Sequence, residues 1–440
     1  MSPAVGRIGY HYYPDERHYT QKDLETWLPI LASLGARWVT LRGSTLRAIP
    51  EAFLRALIDA DISPIVHIPG PLTSARTEEL IALFGAYAHW GVGHVVVSDQ
   101  PNMRSSWPAA DWGRAALVER YLDRLLPILQ AERAAGLHPV FPPLEPGGDY
   151  WDTAFLGAAL TSIARRGQHG LIDELVLALY AWTYDRALEW GKGGPRAWPQ
   201  VRPYSLPEGS QDERGFRIFD WYAQVSEATA GKSLPMLAIA AGVRPDPTPK
   251  GDGHLAEANL GATRVLMSGD VPEQLMGLCF YLLTAEADDP NASSAWFVSS
   301  AEPRAFVDQV RSLIASVPTA RNTQLEGTSS PAKPLRHYLL LPETSGAHDA
   351  FDWSSLGEYV NVFRPAVGFS VAEAKHAQEV TIIGNPDLIP PQVELELRQA
   401  GCKVHRVTKP VSAPTPQVPW SPTELVTRLE THYAGVRHGH

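Results

Sequence analysis

Carboxyl and amide side chains follow two short apolar runs of the sequence, at the point where each run ends. The tetrapeptide Asp-Gln-Pro-Asn at 99–102 comes directly after the β-branched run 95–97, and Glu145 follows the run 138–141. Asp99 and Glu145 are therefore candidates for a pair of carboxyl groups, one giving and one accepting a proton in general acid–base catalysis. A second interpretation stays open, in which Asp99 is a structural hydrogen bonder and Glu145 orders the glycine turn that follows it.

Aromatic residues are frequent near the ends of the same apolar runs. The chain has 13 Trp and 15 Tyr. The apolar face of a sugar packs on an aromatic ring while polar groups bind its hydroxyls, so this pattern favours a carbohydrate ligand. The alternative, that these rings only fill space around the site, also stays open. The residues that we predict to bind substrate are Arg42, Gln100, Asn102, Trp107, Tyr150, Trp151, Tyr180 and Trp182.

Apolar runs of strand length alternate with segments of helical period over residues 7–317. The run 63–68, for example, is followed by a helical pattern at 77–90. Eight units of this kind predict an α/β fold, a (β/α)8 TIM barrel, in which the carboxyl ends of the strands carry the active site. Residues 99–102 and Glu145, after strands four and five, are then neighbours. We also predict one long helix at 112–135, the sixth strand at 171–179 and an irregular loop at 185–213.

A polar linker at 319–334 separates the predicted barrel, residues 1–318, from a different pattern. We predict there a small C-terminal α/β domain of βαβ type at 335–410, then a Pro-rich segment and C-terminal helix at 411–440. The predicted strands are 338–341, 380–384 and 403–407, and the predicted helices are 353–362, 369–376 and 391–400. The role that we expect for this domain is homo-oligomerisation or the binding of a protein partner.

Composition and charge argue against several classes of protein. The chain has 440 residues, of which 44% are hydrophobic and 20% charged, and its net charge of −10 argues against a nucleic-acid binder. We find neither a run of about 18 apolar residues that could span a membrane nor a signal peptide, and so expect a soluble, cytoplasmic protein. No metal or cofactor is expected. Cys279 and Cys402 are far apart, and His11 and His67 have no evident further ligand, which favours hydrogen-bonding roles.

Several of these strand ends resemble those of the clan A glycoside hydrolases, the xylosidase- and cellulase-like superfamily. Residues 97–102, Val-Ser-Asp-Gln-Pro-Asn, followed by Trp107, resemble the fourth-strand motif Asn-Glu-Pro-Asn and its trailing aromatic residue. Residues 144–150, Leu-Glu-Pro-Gly-Gly-Asp-Tyr, are similar to the fifth-strand turn of the xylosidase-like branches. Arg42 matches an arginine that those enzymes keep beside the nucleophile, and 237–243, Leu-Ala-Ile-Ala-Ala-Gly-Val, resembles the seventh-strand motif. The resemblance covers residues 7–317.

The resemblance implies a glycosidase architecture in which the usual carboxylates are missing. The family's retaining mechanism needs an acid/base and a nucleophile about 5 Å apart. Gln100 stands at the acid/base position, and Ala240, or Ala241 if the register slips by one, stands at the nucleophile position. Ala178 stands near the place of the sixth-strand histidine. An amide is no useful acid or base, and an alanine cannot form a glycosyl ester.

Three functional hypotheses follow from these residues. The first is a pseudo-glycosidase that binds or scaffolds oligo- or polysaccharide. The second is an active glycoside hydrolase with displaced carboxylates, Asp99 and Glu145 being the best candidates and Asp149 and Asp152 lying close behind. An inverting mechanism would tolerate such a displacement, because it accepts carboxyl separations of about 6.5–9.5 Å. The third is a structural subunit that serves assembly and whose cleft is vestigial.

Overall fold

Eight parallel strands form one sheet, in the spatial order β4-β3-β2-β1-β8-β7-β6-β5. They are β1 (Ile8–His11), β2 (Trp38–Arg42), β3 (Ser63–Ile68), β4 (His94–Val97), β5 (Val140–Phe141), β6 (Val176–Trp182), β7 (Met236–Gly242) and β8 (Leu275–Phe280). A parallel bridge between His94 and His138 joins the β4 and β5 edges. The sheet is therefore a nearly closed barrel, which confirms the predicted TIM fold.

Helices connect the strands and pack on the outer face of the barrel. The helix α1 shows how the sequence forms them: Thr20 and Asp23 make a reciprocal capping box, and Leu24, Trp27 and Leu31 form one buried stripe. A short antiparallel pair, β9 (Phe297–Ser299) and β10 (Glu302–Pro303), precedes the last helix. The helices are α1 (Gln21–Ser33), α2 (Glu51–Asp59), α3 (Thr77–His89), α4 (Ala109–Trp112), α5 (Leu117–Ala135), α6 (Asp152–Arg165), α7 (His169–Glu174), α8 (Gly194–Ala197), α9 (Ile218–Ala230), α10 (Asp252–Ser268) and α11 (Phe306–Ser316).

The structure corrects three predicted elements. The long helix predicted at 112–135 is two helices, α4 and α5, because Ala116 between them has a left-handed backbone with φ of 58°. The strand predicted at 171–179 is the helix α7 followed by β6. Leu171 and Ile172 are buried on that helix. Because they are as apolar as the residues of β6, the sequence pattern did not separate the helix from the strand. The loop predicted as irregular at 185–213 contains the short helix α8.

The interior of the barrel is apolar along most of its length and polar at one end. The inward-facing cluster comprises Ile65, Val96, Val140, Val176, Ala178, Tyr180, Trp182, Leu237, Ile239, Ala240 and Cys279. Thr40 crosses this interior and donates a hydrogen bond from Oγ1 to the carbonyl oxygen of Ile239, 2.9 Å away. The bond sets the level of β2 against that of β7. Beyond it, at the carboxyl ends of the strands, lie the polar groups of His11, Arg42 and His67.

One indole ring fills the opposite end of the barrel. Trp38, at the start of β2, donates its Nε1 proton to the carbonyl oxygen of Gly6 (3.1 Å) and packs edge-on against His94. Two glycines make room for it. A Cβ on Gly9 would lie 2.7 Å from the Cβ of Trp38, and one on Gly277 would lie 2.7 Å from the indole Cδ1. Larger residues at these two positions would therefore displace the ring.

The second compact unit, residues 325–440, contains a four-stranded parallel sheet in the order β12-β11-β13-β14. Its strands are β11 (Leu335–Leu340), β12 (Ala366–Gly368), β13 (Ala377–Ile383) and β14 (Lys403–Val407), and its helices are α12 (Val371–Ala374) and α13 (Pro391–Gln399). The sequence predicted three of these strands. It missed β12, a three-residue edge strand, because so short a run has no detectable period. The helix predicted at 369–376 is shortened to α12.

The computed structural model describes residues 5–72, 77–245, 251–316, 333, 335–342, 365–384 and 386–407. Two predicted segments, the helix at 353–362 and residues 411–440, therefore lie outside the described residues. So does the linker at 319–334, apart from Lys333. The chain divides into two units at Gln324, and our predicted domain bounds stay a prediction. Among the described helices, none combines the length and apolar character needed to cross a membrane.

Candidate functional site at the mouth of the barrel

The loop after β4 is held against both neighbouring strands. The backbone N–H of Ser98 donates to the carbonyl oxygen of Ile68, and that of Gln100 donates to the carbonyl oxygen of Pro143. Ser98 and Gln100 both have positive φ, 88° and 45°. Non-glycine residues in this region cost conformational energy and persist where the surrounding structure holds them. The loop thus presents Asp99 and Gln100 at the mouth in a fixed backbone conformation.

Glu145, after β5, is the centre of a hydrogen-bonded cluster. The Gln100 amide donates from Nε2 to Oε2 of Glu145 at 2.7 Å. On the other oxygen, Tyr184 donates from its hydroxyl at 3.1 Å, and Arg244 forms an ion pair through Nη1 at 2.7 Å. Glu145 is only 5% exposed. Both of its oxygens thus face donors of the protein itself.

Asn102 positions Glu145 from the neighbouring loop. Its Oδ1 accepts a hydrogen bond from the backbone N–H of Glu145 (2.8 Å), and its Nδ2 donates to the carbonyl oxygens of Glu145 (2.8 Å) and Tyr150 (2.9 Å). The side chain is fully buried. A Cβ on Gly148 would lie 2.5 Å from the same amide nitrogen, so the glycine turn is part of this fit.

Burial has the largest effect on the pKa of Glu145. Removal from water raises the pKa of this carboxyl, the charge of Arg244 and the hydrogen bond from Tyr184 oppose that rise, and the charge of Asp99 adds to it. The net direction is upward. Glu145 therefore accepts a proton more readily than an exposed glutamate does, although its three donors stabilise the carboxylate.

A second polar group lies deeper in the mouth. The Tyr180 hydroxyl donates to Oδ1 of Asp99 at 2.6 Å. Arg42 and His67 are register partners on β2 and β3, and His11 is the partner of Thr40 on β1 and β2. The side chains of Arg42, His67 and His11 therefore point into the same end of the barrel.

The two histidines of this group are buried and neutral. Burial lowers the pKa of His67 to about 4, with the charge of Arg42 acting in the same direction and Asp99 opposing it. Burial, His67 and Arg42 hold the pKa of His11 well below its usual range. Among the described residues, the Nδ1 of His11 and the Nε2 of His67 have no hydrogen-bond partner. Within the described ranges, no group of three or more His, Cys, Asp or Glu side chains could hold a metal ion.

Two alanines face the interior at positions that the resemblance singled out. Ala240 belongs to the inward-facing cluster and is 3% exposed, whereas Ala241 belongs to the outer cluster beneath the helices. The register of β7 shifts between Ala238 and Ala241 where it pairs with β8. Of the two register choices left open by the sequence, Ala240 is therefore the inward one. Ala178 of β6 is inward as well.

The predicted aromatic residues fall into two places. Tyr180 and Trp182 stack on each other inside the mouth, with centroids 5.6 Å apart, and are 7% and 6% exposed. The other three lie in the loops around it. Trp107 donates from Nε1 to the carbonyl oxygen of Pro101 (2.7 Å), Tyr150 packs edge-on against Phe155, and Trp151 lies beneath Arg214. Their contact with substrate stays a prediction.

The remaining acidic candidates are engaged within the loop after β5. Asp149 accepts a hydrogen bond from the backbone N–H of Arg104 at 2.8 Å. Asp152 is fully buried and accepts from the backbone N–H of Gly147 (2.9 Å) and the hydroxyl of Tyr222 (3.0 Å). The structure thus gives both residues a part in ordering the turn that carries Glu145.

Sequence reasoning missed two residues of the Glu145 cluster, Tyr184 and Arg244, as site residues. Each lies two residues beyond the end of a strand, β6 and β7 respectively, and that position was the available signal. Both also line a cavity of about 480 Å³ together with Thr183, Asp185 and His254. The cluster therefore borders an open space on the side of β6 and β7.

Comparison with known proteins adds a likeness of fold. No family model and no curated protein matches the sequence. A family 39 glycoside hydrolase from the gut symbiont Bacteroides cellulosilyticus WH2 matches with a TM-score of 0.49 at 12% identity, over 71% of this chain and 64% of that chain, less than two thirds of its length. A family 5 cellulase from an Icelandic hot spring isolate matches with a TM-score of 0.42 at 14% identity, over 73% and 90%. A family 10 endoxylanase from a sugarcane soil metagenome gives 0.42 at 10%, over 70% and 96%. These structural neighbours are clan A glycoside hydrolases, and the likeness concerns the fold alone.

Proposed function

We propose that this chain binds oligo- or polysaccharide at the mouth of a glycoside hydrolase-like barrel and does not hydrolyse it by a retaining mechanism. One observation carries the proposal. The inward-facing residue of β7 at the mouth is Ala240, and its methyl group has no atom with which to form a glycosyl ester.

The contacts of Glu145 support the same conclusion. A general acid has to present its proton to the glycosidic oxygen. Both oxygens of Glu145 instead receive hydrogen bonds from protein donors, Gln100 on one side and Tyr184 with Arg244 on the other. In this function Glu145 is a positioning residue that orders the polar groups of the mouth, and it does not transfer a proton.

The mouth has the chemical character of a sugar site. Stacked aromatic rings, Tyr180 and Trp182, lie beside carboxyl, amide and guanidinium groups. Sugar rings need this combination, because their C–H faces pack on aromatic rings and their hydroxyls form hydrogen bonds.

Titration calorimetry of the full chain with a panel of neutral and acidic oligosaccharides tests the proposal, with aryl-glycoside hydrolysis measured in parallel. We expect saturable binding of at least one sugar and no hydrolysis above the buffer rate. Replacing Arg244 with Ala should weaken binding by about tenfold, because it removes the cation that orders Glu145. Lys232→Ala, in the segment before β7 at the other end of the barrel, is the control and should leave binding unchanged. Failure of every sugar to bind would refute the proposal.

A displaced-carboxylate hydrolase is the second candidate, favoured by the raised pKa of Glu145. Burial and the charge of Asp99 both act in that direction, so Glu145 could serve as the acid and Asp99 as the base. If the wild type cleaves an aryl glycoside and both Glu145→Gln and Asp99→Asn abolish the cleavage, this candidate replaces the first. Glu208→Gln, an exposed carboxyl in the loop before α9, controls for a general effect of charge.

A further inference from the structure

Arg42 is an arginine of the barrel mouth whose guanidinium has no ion pair among the described residues. It is half-buried at the end of β2, and within the described part of the chain its guanidinium forms neither an ion pair nor a hydrogen bond. Arg217, by contrast, pairs with both Glu189 and Asp270. An enclosed charge costs free energy unless it is paired. The guanidinium of Arg42 can therefore pair with an anion that enters the mouth from outside.

The strand across the barrel from Arg42 carries a small side chain at the same level. The hydrogen bond from Thr40 to the carbonyl oxygen of Ile239 sets β2 level with β7 across the barrel. Arg42 lies two residues beyond Thr40, and Ala240 lies one residue beyond Ile239. The methyl group of Ala240 thus faces the region into which Arg42 points, and no acidic side chain of β7 enters it.

Two uncharged hydrogen-bonding groups lie at the same end of the barrel. The Nδ1 of His11 and the Nε2 of His67 have no hydrogen-bond partner in the part of the chain that the structure describes, and the two side chains are 5% and 3% exposed. Neutral imidazoles can each exchange one hydrogen bond with a hydroxyl. The Asp99 carboxylate lies on the side of His67, and it would repel a ligand group carrying more than one negative charge.

We propose that Arg42 binds the carboxylate of a hexuronic acid residue in the space over Ala240, while His11 and His67 bind its hydroxyls. A guanidinium and a carboxylate are planar and can form two parallel hydrogen bonds. The single charge of a carboxylate suits Arg42 and is tolerated by Asp99. This inference rests on the proposed function, since it places an acidic sugar in the same mouth.

Calorimetry with matched sugars tests the inference on the full chain. The probes are oligosaccharides of glucuronic or galacturonic acid and their glucose or galactose counterparts, with a sulfated and a phosphorylated glucose as further arms. The wild type should bind a uronic acid oligosaccharide about tenfold more tightly than its neutral counterpart and than the phosphorylated sugar. Arg42→Gln should remove that preference. Arg42→Lys should retain part of it, because the charge remains without the planar geometry. Lys232→Ala is the control for a loss of net positive charge.

The possible failures are distinguishable. Equal binding of acidic and neutral sugars would overturn the inference and leave carbohydrate binding intact. Preference for an acidic sugar that survives Arg42→Gln would also overturn it, because another group would then hold the carboxylate. Tighter binding of the sulfated or phosphorylated sugar would overturn the choice of a carboxylate. If no sugar of any charge binds, the proposed function itself fails.

Discussion

Asn102 joins the loops after β4 and β5 through one fully buried amide. It satisfies the backbone N–H and carbonyl oxygen of Glu145 and the carbonyl oxygen of Tyr150. These three backbone groups lose their hydrogen-bond partners when the amide is removed, and an unsatisfied buried polar group costs free energy. The residue thus links the stability of the protein to the geometry of the Glu145 cluster.

Asn102→Ala should lower the free energy of unfolding by about 3 kcal/mol, because it leaves buried polar groups of the backbone without partners. Asn102→Asp should cost at least as much, because its second carboxylate oxygen would face the carbonyl oxygens of Glu145 and Tyr150, which now accept from Nδ2. Urea unfolding followed by circular dichroism measures both. Asn291→Ala, in a loop before β9, is the matched control and should stay within about 0.5 kcal/mol of the wild type. A loss for Asn102→Ala no larger than that of the control would contradict the assigned role.

The sequence identified Asp99, Gln100 and Glu145 as residues at strand ends, and the structure brings Gln100 and Glu145 into contact. It placed Tyr184 among the aromatic residues at strand ends without including it in the site, and it did not identify Arg244. Tyr184 has φ of 46°, and the direction of a side chain after such a turn depends on backbone angles that residue types do not encode. Ala240 and Ala241 were likewise indistinguishable, because the irregular register of β7 decides which of them faces inward.

The start of α6 and the loop before α9 are joined by a buried carboxyl pair, Asp152 and Glu213, which are 0% and 1% exposed. Burial raises the pKa of both, and the charge of Asp152 raises the pKa of Glu213 further. Asp152 receives hydrogen bonds from Gly147 and Tyr222 and so remains the ionised partner. Glu213 keeps the proton and shares it with Asp152.

This pair should make the protein less stable as the pH rises. Between the usual pKa of a glutamate, about 4.3, and the raised value of Glu213, the folded state binds a proton that the unfolded state has released. The contribution is thus fully present below the unfolded pKa and declines by up to about 1.4 kcal/mol per pH unit above it. Glu213→Gln, which cannot ionise, should lose this slope. Urea unfolding at pH 5, 6 and 7 measures the difference, and Glu208→Gln on the same loop should track the wild type. Parallel curves for wild type and Glu213→Gln would contradict the shared proton.

The order of elements was more predictable than their ends. Apolar runs and helical stripes predict the barrel because each strand is buried on both faces and each helix on one. The errors have local causes. α7 and β6 were merged because Leu171 and Ile172 of the helix are as apolar as the strand that follows, and the break before α5 depends on the left-handed backbone of Ala116.

Each of the two units has its own apolar core. The first unit, residues 1–324, is built around the barrel, and the second, residues 325–440, contains a separate cluster that includes Tyr338, Val380 and Leu397. Units with separate cores can unfold separately. Homo-oligomerisation or partner binding through the second unit stays a prediction.

Scanning calorimetry should therefore show two unfolding transitions. A bound oligosaccharide at one hundred times its Kd should stabilise the barrel by about 2.7 kcal/mol and raise the temperature of its transition. The transition of the second unit should not move, because the proposed site lies entirely in the first. Ala374→Asp, in the core of the second unit, identifies which transition belongs to which unit. A single transition that moves as a whole on addition of ligand would contradict independent unfolding.

The interior of the barrel is filled by apolar side chains down to the indole of Trp38, which lies against Gly9 and Gly277, so a ligand can reach the mouth only from the carboxyl ends of the strands. A polysaccharide cannot thread through the barrel, and whatever enters between His11, Arg42 and His67 must leave by the way it came. A long chain can then place only a terminus or a side branch beside Arg42, while the rest of the polymer lies across the surrounding loops. The number of binding sites that a polysaccharide presents to Arg42 would accordingly depend on its chain ends and branches and not on its length.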